Sequence, residues 1–342
     1  MANAQRIVLA SRPVGEPKPE HFRLEEVPVP TRGPGQLLLR TIWLSLDPYM
    51  RGRMSDAPSY APPVRIGDVM EGGTVSEVVA SGVDGFDVGD VVVCRAGWQT
   101  HFVSDGRGLR KIDPKVAPIS TALGVLGMPG MTAYTGLLDI GNPQPGETVV
   151  VAAASGAVGS AVGQIARIKG CRAIGIAGGA EKCKYVKEVL GFDDCIDHRD
   201  GEMAEKLKAA CPKGVDVYFE NVGGKVFEAV LPLLNPFARI PVCGLIAQYN
   251  AFEEEKGGKA MSFLMRNVLT KRLTIRGFIV SDFAARYGDF ISDMTKWFAG
   301  GKLKHRETID EGLANAPRAF IGLLRGENFG KQLVRVGPDR GE

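Results

Sequence analysis

Cysteine and histidine are sparse in this 342-residue chain, and neither is arranged to hold a metal. The six cysteines are Cys94, Cys171, Cys183, Cys195, Cys211 and Cys243. No two stand at CxxC spacing, which argues against a zinc ribbon and against a thioredoxin-type redox pair. Reduced, mostly buried thiols are expected instead. The four histidines, His21, His101, His198 and His305, are isolated, with no HxxE pattern beside them. Zinc needs several Cys, His or carboxylate ligands gathered on one scaffold, so no metal site is expected. Hydrolysis or alcohol oxidation through a zinc Lewis acid is not expected either.

Charge of one sign is also lacking: 42 Lys and Arg oppose 39 Asp and Glu, a formal net charge of +3. The basic residues are spread along the chain, so neither nucleic acid nor a membrane surface is an expected partner. The short basic run of Lys302, Lys304 and Arg306 reads as a solvated helix end. Long apolar runs are missing as well. The run at 7–10 is too short for a secretory h-region, and nothing approaches the roughly 20 apolar residues of a membrane-spanning helix. A cytoplasmic protein is expected.

What is present suits a large folded enzyme. Hydrophobic residues make up 44% and charged residues 24%, ordinary values for globular chains. The length predicts two domains and a core that needs no disulfide. Residues 1 to about 120 are β-rich and punctuated by Pro and Gly, which suits a small barrel-like domain. Strand candidates there are 36–46, 73–80 and 87–94. After about Pro118 the texture changes to alternating βα units. Strands are predicted at 148–153, 172–177, 215–220, 238–243 and 272–280. Helices are predicted at 158–169, 181–190, 225–234 and 283–298. That alternation implies an α/β fold with a doubly wound parallel sheet. The stretch 250–259 reads as a polar loop, a lid or a tethered solvent loop. A last strand at 331–336 has no obvious parallel partner and is expected to return to the first domain.

The strongest local signal is Ala153-Ala154-Ser155-Gly156-Ala157-Val158-Gly159, which follows a strand and opens a helix. That context marks a dinucleotide-binding turn. Gly156 lets the backbone approach a pyrophosphate, Gly159 lets the helix pack on the strand, and the helix N-terminus offers N–H groups to the phosphates. The pattern lacks the first glycine of GxGxxG. NAD sites place Asp or Glu at the end of the next strand to bind the ribose 2′-OH. Here that end is Ala177-Gly178-Gly179-Ala180, and Lys182 follows with a counter-charge for a 2′-phosphate. NADP(H) is favoured over NAD. An ordinary surface lysine is the alternative for Lys182, and Glu181 beside it works against the phosphate role.

Several further stretches carry a resemblance. They are Tyr218-Phe219-Glu220-Asn221-Val222-Gly223-Gly224, Cys243-Gly244-Leu245-Ile246-Ala247-Gln248-Tyr249-Asn250, Asn328-Phe329-Gly330-Lys331, Leu46-Asp47-Pro48-Tyr49-Met50-Arg51 and Gly127-Met128-Pro129-Gly130-Met131-Thr132-Ala133-Tyr134. With the glycine turn, they resemble the zinc-independent medium-chain dehydrogenases/reductases. The resemblance runs from about residue 5 to 336. It is strongest in the branch of the prostaglandin/leukotriene B4 reductases, the plant alkenal double-bond reductases and the bacterial curcumin reductases, and leans toward the last. Where zinc-dependent relatives carry a metal-binding GHE motif, this chain has Gly67-Asp68-Val69-Met70-Glu71-Gly72, and their ligand cysteine is missing near Asp47.

The resemblance implies a GroES-like β-barrel domain, residues 1–120 and 310–342, and a Rossmann NADP-binding domain, residues 121–309, with the active site in the cleft and a homodimer formed through the Rossmann sheet edge. Ser155, Gly156, Ala157, Val158 and Gly159 are expected at the pyrophosphate, and Gly178 and Lys182 at the 2′-phosphate. His198 or Arg199 is expected to replace the family's tyrosine there. Asn221, Cys243, Gly244, Tyr249, Phe278, Val280 and Asn328 are expected along the rest of the cofactor. The implied substrate residues are Tyr49, Arg51, Met128, Tyr249 and Ser281. The implied reaction is NADPH-dependent reduction of the α,β double bond of an enone or enal by hydride transfer to the β-carbon. Tyr249 is the first choice for the donor to the developing enolate oxygen and Tyr49 the second. Arg51 is also open to a structural ion pair. Candidate substrates are diarylheptanoid-type enones, lipid-derived alkenals and hydroxyphenyl enones. Quinone reduction and NADPH binding without catalysis are the competing functions.

Overall fold

The computed structural model describes residues 3–250 and 258–339. In chain order its strands are β1 (Asn3–Leu9), β2 (Phe22–Pro28), β3 (Leu37–Ser45), β4 (Thr74–Ala80), β5 (Val91–Cys94), β6 (His101–Ser104), β7 (Arg110–Lys111), β8 (Thr148–Ala152), β9 (Arg172–Ala177), β10 (Asp194–Asp197), β11 (Val215–Phe219), β12 (Leu234–Val242), β13 (Thr274–Gly277), β14 (Glu307–Glu311) and β15 (Lys331–Arg335). They fall into two units. One holds the chain through Gly124 together with the chain from Glu307 onward; the other is Val125–Arg306. Among the described residues no helix is long and apolar enough to cross a membrane.

The first unit is built on the sheet β14-β15-β3-β4-β5-β7, with β6 also paired to β3 and a separate β1–β2 hairpin. β3 serves three parts of the core. Leu37 and Leu39 pack with Val78 and Val92, Ile42 and Trp43 with Val75 and Leu333, and Leu44 with Trp98 and Phe320. Register shifts at Leu38/Leu39 and Thr41/Trp43 against β4 fit this, because a bulge re-aims the side chains that follow it. Trp98 is fully buried, stacked on Phe22 at 5.5 Å and edge-on to Phe320 at 5.8 Å.

The C-terminal strand β15 does return to this unit, antiparallel to β3. It also has a parallel partner, β14, which the sequence did not suggest. The segment ETIDE carries three carboxylates, and none of its residues is fully buried. It gains strand structure from the edge it covers rather than from an apolar pattern.

The second unit is a six-stranded parallel sheet in the order β10-β9-β8-β11-β12-β13. Counted along this unit the order is 3-2-1-4-5-6, the doubly wound arrangement. β8 is buried along its whole length, as a strand covered on both faces must be. The Ala157–Ile168 helix packs closely because its inner face is small. A Cβ on Gly163 would overlap the ring of Phe192 at 1.8 Å.

Several boundaries differ from the sequence expectation. The helix expected at 225–234 ends at Val230, and Pro232 sits in the 3-10 turn that leads into β12; its missing N–H stops the α-helical ladder. The strand expected over 272–280 is only Thr274–Gly277. The helix expected from 283 begins at Tyr287, after a 3-10 stretch broken at Phe283. Residues 251–257 of the expected 250–259 loop lie outside the described residues. Gly258 already opens the Gly258–Lys271 helix.

Candidate active site

In the parallel-sheet unit the site is assembled at the carboxyl ends of the strands, where open α/β sheets bind their ligands. β8 ends at Ala152, and Ala153 takes a left-handed conformation at φ +52°. A glycine adopts this conformation without penalty. Here an alanine holds it, at a cost of about 1–2 kcal/mol for an L-residue. Gly156 is the N-cap of the Ala157–Ile168 helix, so no side chain caps the first turn, and that turn holds no acidic residue. A Cβ on Gly156 would meet only the carbonyl of Ala153, at 3.2 Å. Gly159 has no such room: a Cβ there would lie 2.3 Å from the same carbonyl. Gly156 has that one close neighbour, and Gly159 is packed against the backbone of Ala153 and Ala154. This is the division of labour that a pyrophosphate cradle requires, so the residues present fit a dinucleotide.

The second strand end is strongly basic. A Cβ on Gly178 would lie 2.8 Å from His198 Nε2 and 3.2 Å from Arg199 Nε. Both candidates for the replaced tyrosine thus stand over the same glycine. Lys182 joins them: its ammonium is pushed below its usual pKa by desolvation and then by Arg199. His198 is pushed down by desolvation first, then by Arg199 and also Lys182. Arg199 thus acts against the charged form of both Lys182 and His198, and a phosphate bound here would act the other way. The sequence reading did not anticipate Asp197. Its Oδ1 accepts the backbone N–H groups of Gly179 at 2.8 Å and Arg199 at 2.9 Å. Burial alone would raise its pKa, but these two donors hold the carboxyl below its ordinary value. Asp197 serves the turn's backbone here, although a carboxylate near this strand end would otherwise speak for NAD.

After β11, Asn221 Nδ2 donates to the Ala152 carbonyl at 2.8 Å and ties this loop to the end of β8. Glu220 precedes it and is buried. Its Oε1 accepts the N–H groups of Val222 at 2.6 Å and Gly223 at 2.8 Å, and burial raises its pKa despite those donors. Sequence reasoning missed this use of Glu220. The only available signal was a lone carboxylate ahead of two glycines.

After β12, the N–H groups of Cys243 and Gly244 both reach the Glu220 carbonyl, at 2.9 and 3.3 Å. Desolvation, and then Glu220, push the Cys243 thiol up to about 12, so it is a packed thiol and not a nucleophile. The Tyr249 hydroxyl accepts the Leu245 N–H at 3.4 Å and lies 3.0 Å from where a Cβ on Gly244 would stand. Gly244 is thus the residue that admits the phenol. Phe278 follows β13 and is buried edge-on against Phe219 and Phe283, Val280 opens a 3-10 turn, and Ser281 is exposed. Met128 opens the Met128–Thr135 helix and is 39% exposed.

Tyr49, Arg51 and Asn328 belong to the first unit. Burial and then Asp47 raise the Tyr49 phenol to about 12, against the pull of a hydrogen bond from Arg95. It is a neutral O–H at any physiological pH. Arg51 is 3% exposed and donates to the Gly15 carbonyl at 2.8 Å, which is structural work. Asn328 Nδ2 donates to the Gly330 carbonyl at 2.8 Å. Near the position where zinc-dependent relatives carry a cysteine, Asp47 is buried against Lys331 Nζ at 2.9 Å and also accepts the Ser45 hydroxyl. Among the described residues no three His, Cys, Asp or Glu side chains gather to hold a metal ion.

Comparison with known proteins places this arrangement. Residues 5–112 match the family model described as N-terminal domain of oxidoreductase, and residues 157–298 the one described as zinc-binding dehydrogenase. The NADPH-dependent curcumin reductase of Escherichia coli (strain K12) is 58% identical over 336 residues, covering 98% of this chain and 97% of that protein. Prostaglandin reductase 1 of Bos taurus is 40% identical over 341 residues, covering 98% and 100%. The crystal structure of CurA in complex with NADPH from Vibrio vulnificus superposes with a TM-score of 0.95 at 57% identity, covering 98% and 100%.

Proposed function

Because the chain belongs to the medium-chain dehydrogenase/reductase family, in the branch of the curcumin, prostaglandin and 2-alkenal reductases, we propose that this oxidoreductase reduces the α,β carbon–carbon double bond of an enone or enal with NADPH. The observation that carries the cofactor choice is the cluster of Lys182, His198 and Arg199 around Gly178. A 2′-phosphate offers these basic groups a charged acceptor, whereas a 2′-OH does not. The turn from Ser155 to Gly159 would hold the pyrophosphate, and Asn221, Cys243, Gly244, Phe278, Val280 and Asn328 would frame the rest. We assign most of the cofactor's binding residues to the unit Val125–Arg306, and Asn328 and the substrate-positioning Tyr49 to the other unit.

When bound, NADPH supplies a hydride to the β-carbon of the alkene. The protein's task is to stabilise the negative charge that develops on the carbonyl oxygen. Tyr249, whose hydroxyl accepts the Leu245 N–H at 3.4 Å, is the donor we assign to that oxygen. A fixed O–H donor at the developing oxyanion is worth most where water is excluded. Tyr49 keeps its proton through burial and positions the substrate. The α-carbon takes its proton from solvent, so no dedicated acid is required.

The decisive experiment follows NADPH consumption with curcumin, 3-nonen-2-one, 4-hydroxynonenal and a benzoquinone, with mass analysis of each product. The reading expects a product saturated at the α,β bond and a preference for NADPH over NADH. Turnover confined to the quinone, or tight NADPH binding with no turnover at all, overturns it.

We further propose a homodimer formed through the sheet edge. All four residues of β13, the edge strand, are exposed, and Met261, Met265 and Leu269 of the Gly258–Lys271 helix are 58%, 56% and 77% exposed. An uncovered apolar edge of this kind favours a partner. A monomer in sedimentation at micromolar concentration contradicts it.

A further inference from the structure

Asp197 stands where two turns meet. β9 and β10 end level, with Asp197 in register with Ala177, and the His198 N–H reaches the Ala177 carbonyl at 2.9 Å. After β9 the chain passes through Gly178 and Gly179, the latter at φ +97°, into the Ala180–Glu188 helix. After β10 it turns at His198 and Arg199, and the Asp200 N–H reaches the Asp197 carbonyl at 3.2 Å. One carboxylate oxygen serves both turns: Asp197 Oδ1 accepts the N–H of Gly179 at 2.8 Å and that of Arg199 at 2.9 Å. The bond to Arg199 is the two-residue reach that an aspartate makes within its own turn. The bond to Gly179 crosses to the neighbouring strand end. Gly179 caps the helix, so its N–H has no carbonyl within the helix to meet and takes its acceptor from elsewhere.

The side chains that these turns carry give the carboxylate its consequence. Arg199 folds back over the other turn, its Nε 3.2 Å from the place a Cβ on Gly178 would occupy and its Nη1 3.7 Å from the same place on Gly179. His198 Nε2 lies 2.8 Å from that place on Gly178. Lys182 belongs to the first turn of the helix that Gly179 opens. Asp197 therefore ties together the two backbone segments that bear all three basic groups. Its charge alone works the other way, because a carboxylate repels a phosphate and at a neighbouring strand end would serve the ribose 2′-OH of NAD.

We propose that Asp197 is a positioning residue for NADPH selectivity: by holding the Gly179 and Arg199 N–H groups on one oxygen, it keeps Arg199, His198 and Lys182 converged on one phosphate. This rests on the 2′-phosphate lying at Gly178, as read above. Charge and positioning give opposite signs on removal of the side chain. Deleting a negative charge beside a phosphate tightens NADPH; deleting the acceptor of two backbone N–H groups loosens it.

The test is fluorescence titration of the full chain with NADPH and with NADH, with no enone present. Asp197→Ala is expected to raise the Kd for NADPH about 10-fold, the scale of a lost bond to a charged acceptor, and to leave the Kd for NADH nearly as it was. Asp197→Asn keeps a side-chain oxygen in the same place without the charge and is expected to bind NADPH close to the wild type. Tighter NADPH binding by Asp197→Ala overturns the proposal, and so does an equal loss for both nucleotides. An Asp197→Asn protein as weak as Asp197→Ala does so too. Lys182→Ala, measured alongside, separates this role from the phosphate site itself. Loss of NADPH affinity in Lys182→Ala with none in Asp197→Ala overturns the positioning role alone. Unchanged NADPH affinity in both overturns the phosphate site and the positioning role together. None of these readouts depends on which acceptor the enzyme reduces.

Discussion

In the unit built on β3 and β15, Asp47 and Lys331 bury opposite charges against each other at 2.9 Å. In the parallel-sheet unit, His198 and Arg199 stand over Gly178, with the Lys182 ammonium near enough to feel Arg199. The first arrangement is complete in itself: Lys331 also reaches the Leu46 carbonyl at 2.7 Å, and Asp47 accepts the Ser45 hydroxyl. In the second, burial first and then the neighbouring Arg199 push Lys182 and His198 down. A buried pair that satisfies itself specifies a fold. A crowd of like charges beside an uncapped helix N-terminus specifies an anion.

The comparison is broken or sharpened by substitution on either side. The largest effect is expected from Lys331→Ala, which strands the Asp47 carboxylate in the interior. Removing one partner of a buried pair typically costs about 3–5 kcal/mol. Chemical denaturation measures it, and the double variant Asp47→Ala/Lys331→Ala should recover part of the loss. A single-variant loss under about 1 kcal/mol would place the pair with weak surface pairs instead.

On the other side, Tyr249→Phe removes the proposed oxyanion donor. It is expected to lower kcat about 100-fold with the KM for NADPH nearly unchanged. A matching rise in the KM for NADPH would make Tyr249 a cofactor wall. Lys182→Ala is expected to raise the KM for NADPH by about 10- to 100-fold, the range for one charge-assisted hydrogen bond, and to leave the KM for NADH nearly as it was. Equal effects on both nucleotides remove Lys182 from the phosphate site.

His198 offers a smaller, pH-dependent test. Its pKa is depressed, so the neutral ring belongs to the native state. The stabilisation is present above about pH 6.5, the ordinary histidine value, and is lost as pH falls through the depressed pKa. A bound phosphate favours the charged ring and reverses that penalty. NADPH should therefore protect the wild type against mild acid in a thermal melt more than it protects His198→Gln. The smallest effect is expected from Ala153→Gly, which relieves the left-handed alanine at φ +52°. Part of the gain is offset by glycine's backbone entropy, leaving a stabilisation of about 0.5–1 kcal/mol in a thermal melt.

By itself the sequence determined the doubly wound unit. β8, β9 and β11 are covered on both faces, so each appears as a short, mostly apolar run with turn residues around it. The glycine turn was equally legible, because its spacing is set by local backbone geometry that needs no distant partner. The family and its motifs could be recognised for the same reason: each motif is contiguous. Other features only the tertiary structure decided, because they join residues far apart in the chain. Asp47 and Lys331 stand 284 positions apart. The charged segment of β14 becomes a strand only because β15 lies beside it. Asp197 serves the Gly179 turn through the register of β10 on β9. The same register sets Cys195 beside the glycine at 175. Period and spacing report what one segment needs of its environment. Which charge, carboxylate or sulfur fills that environment is settled when the sheets close.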